Sequence, residues 1–210
     1  MELAPRVDRR TPAGFRPGIA AGLDVAYGAD RLVAAAVCVD IATLNIVDSA
    51  VVEGRTDFPY LPGLFAFREL PALLRALAKL GTRPDVLVCD GQGLAHPRRF
   101  GLACHAGVET GLPSIGVGKQ ALGKYEPPGN DRGDHSDLVD EGETVGRALR
   151  TQAGVKPVFV SVGHRIDLDT ATELVLALSP RYRLPETTRA ADRLGRAVLA
   201  GRVRVQDVGD

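Results

Sequence analysis

The sequence predicts an α/β domain with a mixed central sheet, in which three antiparallel strands come first and parallel strands follow between flanking helices. Two observations predict this class. Before Leu70 the chain reads as consecutive strand-like runs separated by short turns, and from Leu70 onward helical and strand-like segments alternate. With 210 residues, of which 45% are hydrophobic and 25% charged, the chain is long enough to bury one sizeable core. We therefore expect residues 1–210 to form one domain.

The first three strands are predicted over residues 19–27, 31–40 and 44–53. Each run is rich in apolar or β-branched residues, and only short breaks separate one run from the next. Connections this short join antiparallel neighbours, which predicts a three-stranded meander. Residues 1–17 have no apolar segment of the kind found in a signal peptide and are expected to form a loose N-terminal arm.

A change of period marks the first helix. Five leucines recur at helical spacing, and a glycine suited to a helix C-terminus follows them: Leu70, Leu73, Leu74, Leu77, Leu80 and then Gly81. Short buried strands are predicted over 85–89 and 113–117. Between these strands we expect a helix that Pro97 opens and Gly111 ends.

The last third adds a polar segment and further strands and helices. Thr170 and Glu173 have the spacing of a capping box at the start of a helix. Three antiparallel strands followed by a parallel β-α-β arrangement is the order of the ribonuclease H-like fold. The remaining predicted elements are a polar excursion at 126–143, strands near 144–150 and 157–162, and helices near 170–178 and 188–200.

Charge and cysteine content narrow the functional classes. The formal net charge is +0, but the segment from Arg181 to Arg204 carries seven arginines against two acids. Such a segment is either a solvated face or a basic surface that follows phosphates. The three cysteines are dispersed, which argues against a disulfide framework or a zinc cluster and favours a cytoplasmic location. No run of about eighteen apolar residues is present, so no membrane partner is expected.

Two aspartates are expected at the same edge of the sheet. Asp24 lies near the end of the first strand, and Asp90 directly follows strand 85–89. Carboxylates that converge there repel each other unless a cation lies between them, and Mg²⁺ prefers such ligands together with phosphate and water. Glu69, at the start of the first helix, is a third candidate ligand. Taken singly, Asp24 and Asp90 could be turn or capping residues, and Glu69 an exposed helix-start residue.

Several long motifs resemble Endonuclease V, a family of nucleases that repair deaminated bases. They occur in order along most of the chain: GLDVAYG at 22–28, PYLPG at 59–63, DGQGLAHPRR at 90–99, GVGK at 116–119, GHR at 163–165 and YRLPETTR at 182–189. The resemblance implies a ribonuclease H-like fold and a Mg²⁺-dependent endonuclease, with Mn²⁺ expected to substitute. It further implies that the second phosphodiester bond 3′ to hypoxanthine in DNA is hydrolysed, leaving 3′-hydroxyl and 5′-phosphate ends.

The resemblance also implies roles for individual residues. Asp24, Glu69 and Asp90 match the family's metal-binding catalytic carboxylates. Lys119 matches a lysine near the scissile phosphate, and His164 matches an active-site histidine. Without the resemblance, a hydrogen-bonded structural role is the favoured alternative for His164.

Lesion recognition is expected to involve two further groups of residues. The turn Tyr60-Leu61-Pro62-Gly63 matches a wedge that enters the duplex, with an ordinary Pro-Gly loop as the alternative. Gly91, His96 and Gly101 fall in segments that form the pocket for the displaced base, where glycine permits close backbone approach to a purine. Arg98 and Arg99, expected in the first turn of a helix, are candidate phosphate contacts or solvated surface residues.

Three other functions compete with this one. Relatives that cut inosine-containing RNA would have the same motifs, and a protein that binds deaminated nucleic acid without cutting it would lack a metal ligand. A phosphotransferase of the actin-like type needs two duplicated lobes, which 210 residues without a repeat do not supply. We therefore expect a monomer whose partners are double- and single-stranded DNA containing deaminated bases, with inosine-containing RNA as the alternative.

Overall fold

The computed structural model describes residues 3–55 and 65–208, except for the side chains of 65–68 and 207. In these residues nine strands form one sheet, in the order β3-β2-β1-β4-β5-β9-β8-β7-β6. The strands are β1 (Ile19–Tyr27), β2 (Arg31–Asp40), β3 (Ile46–Arg55), β4 (Val86–Asp90), β5 (Ser114–Gly118), β6 (Lys124–Tyr125), β7 (His135–Asp140), β8 (Glu143–Leu149) and β9 (Val158–His164). The helices are α1 (Phe65–Ala78), α2 (Leu102–Thr110), α3 (Leu168–Ala177) and α4 (Glu186–Leu199), with 3-10 turns at Ala4–Arg6 and Val205–Asp207.

The predicted strand order is confirmed. β1, β2 and β3 form an antiparallel meander, and β4 pairs in parallel with both β1 and β5. The sheet then changes direction, because β9 runs antiparallel to β5. β1, β4 and β5 are neighbouring parallel strands, so their carboxyl ends lie side by side at one edge of the sheet. Among the described residues, no helix is long and apolar enough to cross a membrane.

Helices cover both faces of the sheet. α1 and α2 pack on one face around Leu23, Leu73 and Leu87. On the other face, α3 packs near Val160 and α4 packs across β1 and β2. The start of α4 lies so close to β1 that a Cβ atom at Gly22 would be 2.2 Å from the Thr187 carbonyl oxygen. Glycine at this position therefore allows the start of α4 to lie directly against β1.

The prediction that Pro97 opens α2 is wrong. The helix begins at Leu102, after Gly101, and Arg99 has a left-handed backbone conformation with φ of 51°. A right-handed helix is not compatible with that angle, so the chain turns before the helix starts. Arg98 and Arg99 are therefore not in the first turn of a helix. The predicted end at Gly111 is confirmed, with φ of 69°.

The polar excursion at 126–143 is partly a strand. Residues His135–Asp140 form β7, which joins β8 through a turn at Glu141 and Gly142, both with positive φ. This is the backbone of a tight two-residue hairpin turn. The strand was not predicted because Leu138 is its only fully buried side chain, so no apolar alternation is present.

Two helix starts also differ from prediction. The α3 N-cap is Asp167, whose side chain accepts a hydrogen bond from the Thr170 backbone N–H at 2.8 Å, so the predicted Thr170–Glu173 capping box is wrong. α1 begins at Phe65, which places Glu69 in its second turn, and it ends at Ala78, before Leu80 and Gly81.

Candidate active site

Asp24 and Asp90 meet at the catalytic edge, which we define as the common end of β1, β4 and β5. The parallel register of β1 and β4 ends at the pair Leu23 and Cys89, so the two aspartates are the next residues on neighbouring strands. Both side chains line the same cavity. The convergence expected from their strand positions is therefore observed.

The electrostatics of this pair are unfavourable to full ionisation. Burial, followed by the charge and the hydrogen bond of Asp90 and the charge of Asp192, raises the pKa of Asp24 to about 7. The positive charge of Lys119, whose Nζ lies 2.5 Å from Asp90 Oδ2, acts in the opposite direction and lowers the pKa of Asp24. Burial works against the charged form of Lys119, but the hydrogen bond and charge of Asp90 give that ammonium group a raised pKa. The edge thus combines clustered negative charge with one ammonium group.

Asp192 was not found from the sequence. It lies on α4, and its Oδ1 accepts a hydrogen bond from Arg196 Nε at 2.7 Å. Asp24 and Asp90 are recognisable as acids at strand ends, whereas Asp192 lies inside a helix and has no such position. A usable signal was present: Asp192 is an isolated acid inside the arginine-rich segment, one turn after the YRLPETTR motif.

Glu69 reaches the same cavity from α1. It is 3% exposed, and the Tyr27 hydroxyl donates a hydrogen bond to its Oε1 at 2.8 Å. The cavity has a volume of about 730 Å³. Its acidic and basic lining residues are Asp24, Glu69, Asp90, Asp192, Lys119 and Arg196. Four of the five predicted catalytic residues therefore line one open site: Asp24, Glu69, Asp90 and Lys119.

The donors at this edge suit a hard divalent cation. In residues 3–55 and 65–208, no three His, Cys, Asp or Glu side chains are close enough to surround an ion by themselves. Mg²⁺ does not require such a cage, since proteins usually supply one or two carboxylates and leave the other positions to phosphate and water. A cation at Asp24 and Asp90 would also relieve the repulsion that raises the pKa of Asp24.

The expected position of His164 at the active site is corrected by the direction of β9. His164 pairs with Ser114 at the start of β5, roughly 13 Å from Gly118 at about 3.3 Å per residue. Its Nδ1 accepts a hydrogen bond from the Asp8 backbone N–H at 3.2 Å. Burial and then the charge of Arg165 lower the pKa of His164. The imidazole is therefore a structural group at the opposite edge of the sheet.

The same contacts correct the expectation of a loose N-terminal arm. The Arg165 backbone N–H donates to the Asp8 carbonyl oxygen at 2.5 Å, and the Thr11 hydroxyl is hydrogen-bonded to Asp167. These bonds tie residues 8–11 to the segment between β9 and α3.

His96 lines a smaller cavity of about 320 Å³. The cavity is bounded by Leu122 and Gly123 on one side and by Asp140 and Glu141 of the β7–β8 turn on the other. Burial and then the charge of Arg98 lower the pKa of His96, which favours a neutral imidazole. Its Nδ1 accepts a hydrogen bond from the Arg98 backbone N–H at 3.2 Å.

The two glycines predicted for a base pocket have different surroundings. A Cβ atom at Gly101 would be 2.4 Å from the Gln92 carbonyl oxygen, so glycine there is required by packing within the protein. A Cβ atom at Gly91 would meet only the Leu102 side chain at an ordinary 3.6 Å, and Gly91 lines the large cavity. Open space for a ligand is therefore found at Gly91, and not at Gly101.

Arg98 and Arg99 also differ from each other. Arg99 donates hydrogen bonds to two carboxylates: its Nη1 lies 2.7 Å from Asp140 Oδ2, and its Nε lies 2.9 Å from Glu143 Oε2. It therefore joins the turn after β4 to the β7–β8 hairpin and is not a free phosphate ligand. Arg98 is exposed. The predicted wedge Tyr60-Leu61-Pro62-Gly63 lies outside the described residues.

Comparison with known proteins decides the family. The sequence profile of Endonuclease V matches residues 1–193. The chain belongs to the Endonuclease V family. The Endonuclease V of Nocardia farcinica is 66% identical to it over 181 residues, which cover 85% of this chain and 80% of that protein.

Solved Endonuclease V structures have the same fold. The Streptomyces avermitilis structure superposes with a TM-score of 0.89 and 55% identity, covering 95% of this chain and 90% of that one. A Ciona intestinalis Endonuclease V, in complex with a 24-mer DNA containing an inosine followed by a ribo-adenosine, gives a TM-score of 0.82 and 26% identity over 96% and 95% of the two chains. The predicted ribonuclease H-like fold is confirmed, and the chain is an endonuclease of this family.

Proposed function

We propose that this Endonuclease V is a Mg²⁺-dependent DNA repair enzyme that recognises deaminated bases, above all hypoxanthine. It hydrolyses the second phosphodiester bond 3′ to the lesion and leaves 3′-hydroxyl and 5′-phosphate ends. The observation that carries this proposal is the position of Asp24 and Asp90 at neighbouring strand ends, in one open cavity beside Lys119.

In the proposed reaction, the chain's own residues hold and orient the phosphate. Asp24 and Asp90 would hold the divalent ion, and Asp192 and Glu69 are the other carboxylates of the cavity. When bound, Mg²⁺ supplies positive charge to the phosphate oxygens and lowers the pKa of the attacking water; Mn²⁺ is expected to substitute. The Lys119 ammonium group, held against Asp90, stabilises negative charge that develops on the scissile phosphate.

Lesion recognition is proposed for the cavity beside His96. A displaced base there would face the neutral imidazole and the backbone of Leu122 and Gly123. Hypoxanthine has a carbonyl where adenine has an amino group, so backbone N–H donors distinguish the two bases. The turn from Tyr60 to Gly63 stays the proposed wedge that fills the vacated stack.

The proposal is tested with labelled duplexes that contain one hypoxanthine. We expect a single nick at the second phosphodiester bond 3′ to the lesion, with Mg²⁺ or Mn²⁺ present and not with EDTA. Asp24→Asn should abolish the nick, whereas Asp137→Asn, an exposed acid on β7, should leave the rate unchanged. Cutting by Asp24→Asn at the wild-type rate, or cutting in EDTA, would show that the proposal is wrong.

A ribonucleotide substrate is the second candidate. It is favoured by the Ciona intestinalis relative, whose bound DNA carries a ribo-adenosine after the inosine. Two otherwise identical strands, with and without a 2′-hydroxyl on that nucleotide, distinguish the candidates. Cutting of the ribonucleotide strand more than tenfold faster would make inosine-containing RNA the preferred substrate. Binding without any nick on either strand would instead indicate a non-cleaving binder.

A further inference from the structure

A second groove opens from the catalytic cavity along α4. Its volume is about 540 Å³, and it shares Asp90, Lys119, Asp192 and Arg196 with the catalytic cavity. Beyond these shared residues the groove is lined by Arg189, Arg193 and Arg202, whereas the catalytic cavity is lined by Tyr27 and Glu69. We call it the arginine groove. The two spaces meet where Lys119 contacts Asp90.

Two arginines of the arginine groove are available for a ligand. Arg196 is paired with Asp192, and Arg189 is paired with Glu186 at 3.6 Å and lies 3.6 Å from the centre of the Tyr182 ring. Arg193 and Arg202 are exposed, and within the described part of the chain neither forms an ion pair. Guanidinium groups without a carboxylate partner, beside a site for a phosphodiester, suit further phosphates of the same backbone.

The order of the strands gives the groove a direction. The His96 cavity, proposed for the lesion base, lies between the segment after β5 and the β7–β8 turn. Asp90 and Asp24 lie on β4 and β1, near the middle of the sheet. α4 packs across β1 and β2, which are farther from the β7–β8 hairpin than β4 is. A DNA strand that runs from the lesion cavity to the catalytic edge therefore continues toward α4.

We propose that the arginine groove binds the backbone phosphates on the 3′ side of the cleaved bond, with Arg193 and Arg202 as the phosphate ligands. This rests on the proposed function, because the lesion cavity and the cut position define which side is 3′. The segment of the strand bound in the groove is the one that carries the 5′-phosphate after cleavage.

The test measures binding of hypoxanthine duplexes in EDTA by fluorescence anisotropy, with salt varied. Each lost phosphate contact lowers the slope of log Kd against log salt by about 0.9 for duplex DNA, so the double variant Arg193→Gln/Arg202→Gln should lower it by about 2. Its Kd at about 0.1 M salt should rise roughly tenfold or more. The matched control is Arg83→Gln, an exposed arginine just before β4 at the opposite edge of the sheet.

Shortened duplexes test the direction. When the duplex ends at the nucleotide after the cleaved bond, wild type and double variant should bind equally. When it is shortened on the 5′ side of the lesion instead, the full difference should remain. An unchanged salt slope, or a difference that disappears only on 5′ shortening, would overturn the proposal.

Cleavage kinetics separate this inference from the proposed function. With Mg²⁺ and a full-length duplex, the double variant should raise KM by the same factor as Kd and leave kcat within about twofold of wild type. If wild type makes no metal-dependent nick, the proposed function fails whatever the arginines do. If wild type nicks and the variant has an unchanged KM, only the arginine groove is wrong.

Discussion

At the scale of single residues, Asp24 makes the stability of the folded protein depend on pH. Its raised pKa means that the folded protein holds a proton that the unfolded chain releases near pH 4. Between about pH 4 and 7 the folded state therefore binds more protons than the unfolded state. Stability falls as pH rises through this window, and the full loss is present above pH 7.

Removing the charge at Asp24 should reverse this loss. In EDTA at pH 8, we expect Asp24→Asn to be more stable than wild type by roughly 1–3 kcal/mol, because the amide has no charge to bury. At about pH 3 the difference should largely disappear, since Asp24 of wild type is then mostly protonated in both states. Urea unfolding at the two pH values measures it. Equal stabilities at pH 8 would contradict the raised pKa.

A second prediction at this scale separates Asp192 from His164. Asp192→Asn should lower the cleavage rate by roughly 100-fold or more, the cost of losing a charged contact at the reacting phosphate. His164→Gln should leave the rate within about twofold, because its imidazole contacts Asp8 at the other edge. Single-turnover cleavage at saturating Mg²⁺ measures both. A large loss in His164→Gln with unchanged stability would return that residue to the site.

These two residues also show the limit of prediction from sequence. Asp24 and Asp90 were predictable because strand ends in a parallel pair share an edge. His164 was misplaced because a strand's sequence does not give its direction in the sheet, and β9 runs antiparallel to β5. Asp192 was missed because helical spacing does not show which face of α4 meets the edge.

At the scale of elements, the β7–β8 hairpin forms one wall of the His96 cavity. Arg99 holds this hairpin through Asp140 and Glu143, and Glu143 also pairs with Arg9 at 2.8 Å. The hairpin could not be predicted because its first strand, β7, is largely polar. The start of α2 could not be predicted because the sequence does not show the left-handed backbone conformation of Arg99. Strands with continuous apolar runs, such as β1 and β2, were predicted with their correct bounds.

Loss of the Arg99 contacts should weaken the packing of the β7–β8 hairpin beside the His96 cavity. We expect Arg99→Met to destabilise the protein by roughly 1–2 kcal/mol, since two charge-assisted hydrogen bonds at a partly buried site are lost. Discrimination between hypoxanthine and adenine duplexes should also fall. Urea unfolding and the ratio of cleavage rates measure the two effects. The neighbouring exposed Arg98→Met is the control, and equal behaviour of both variants would exclude a role for the hairpin contact.

At the scale of the whole molecule, the geometry of the site depends on how closely α4 packs against the sheet. Asp24 belongs to β1 and Asp192 to α4, and Gly22 sets the distance between these elements. Local patterns in the sequence predict each element but not this separation, because the contact joins Gly22 to Thr187, far apart in the chain.

A methyl group at Gly22 should therefore affect stability and activity together. Gly22→Ala would bring Cβ within 2.2 Å of the Thr187 carbonyl oxygen, and overpacking of this kind costs about 1–3 kcal/mol. Cleavage should fall with it, because α4 and Asp192 must move. Gly54→Ala, where the nearest atom is at 3.5 Å, is the control. The free energy of unfolding and the cleavage rate, measured on both variants, should change only in Gly22→Ala.

The reversal of direction between β5 and β9 has a practical consequence. Because β9 ends where β5 begins, His164 lies with Arg83 and the N-terminal segment on the face opposite the catalytic edge. A surface-exposed attachment point on that opposite face, such as Arg83→Cys coupled to a solid support, leaves the cutting face open to solution. Immobilised molecules of this kind should nick damaged DNA that flows past them, and an attachment on α4 should not permit this.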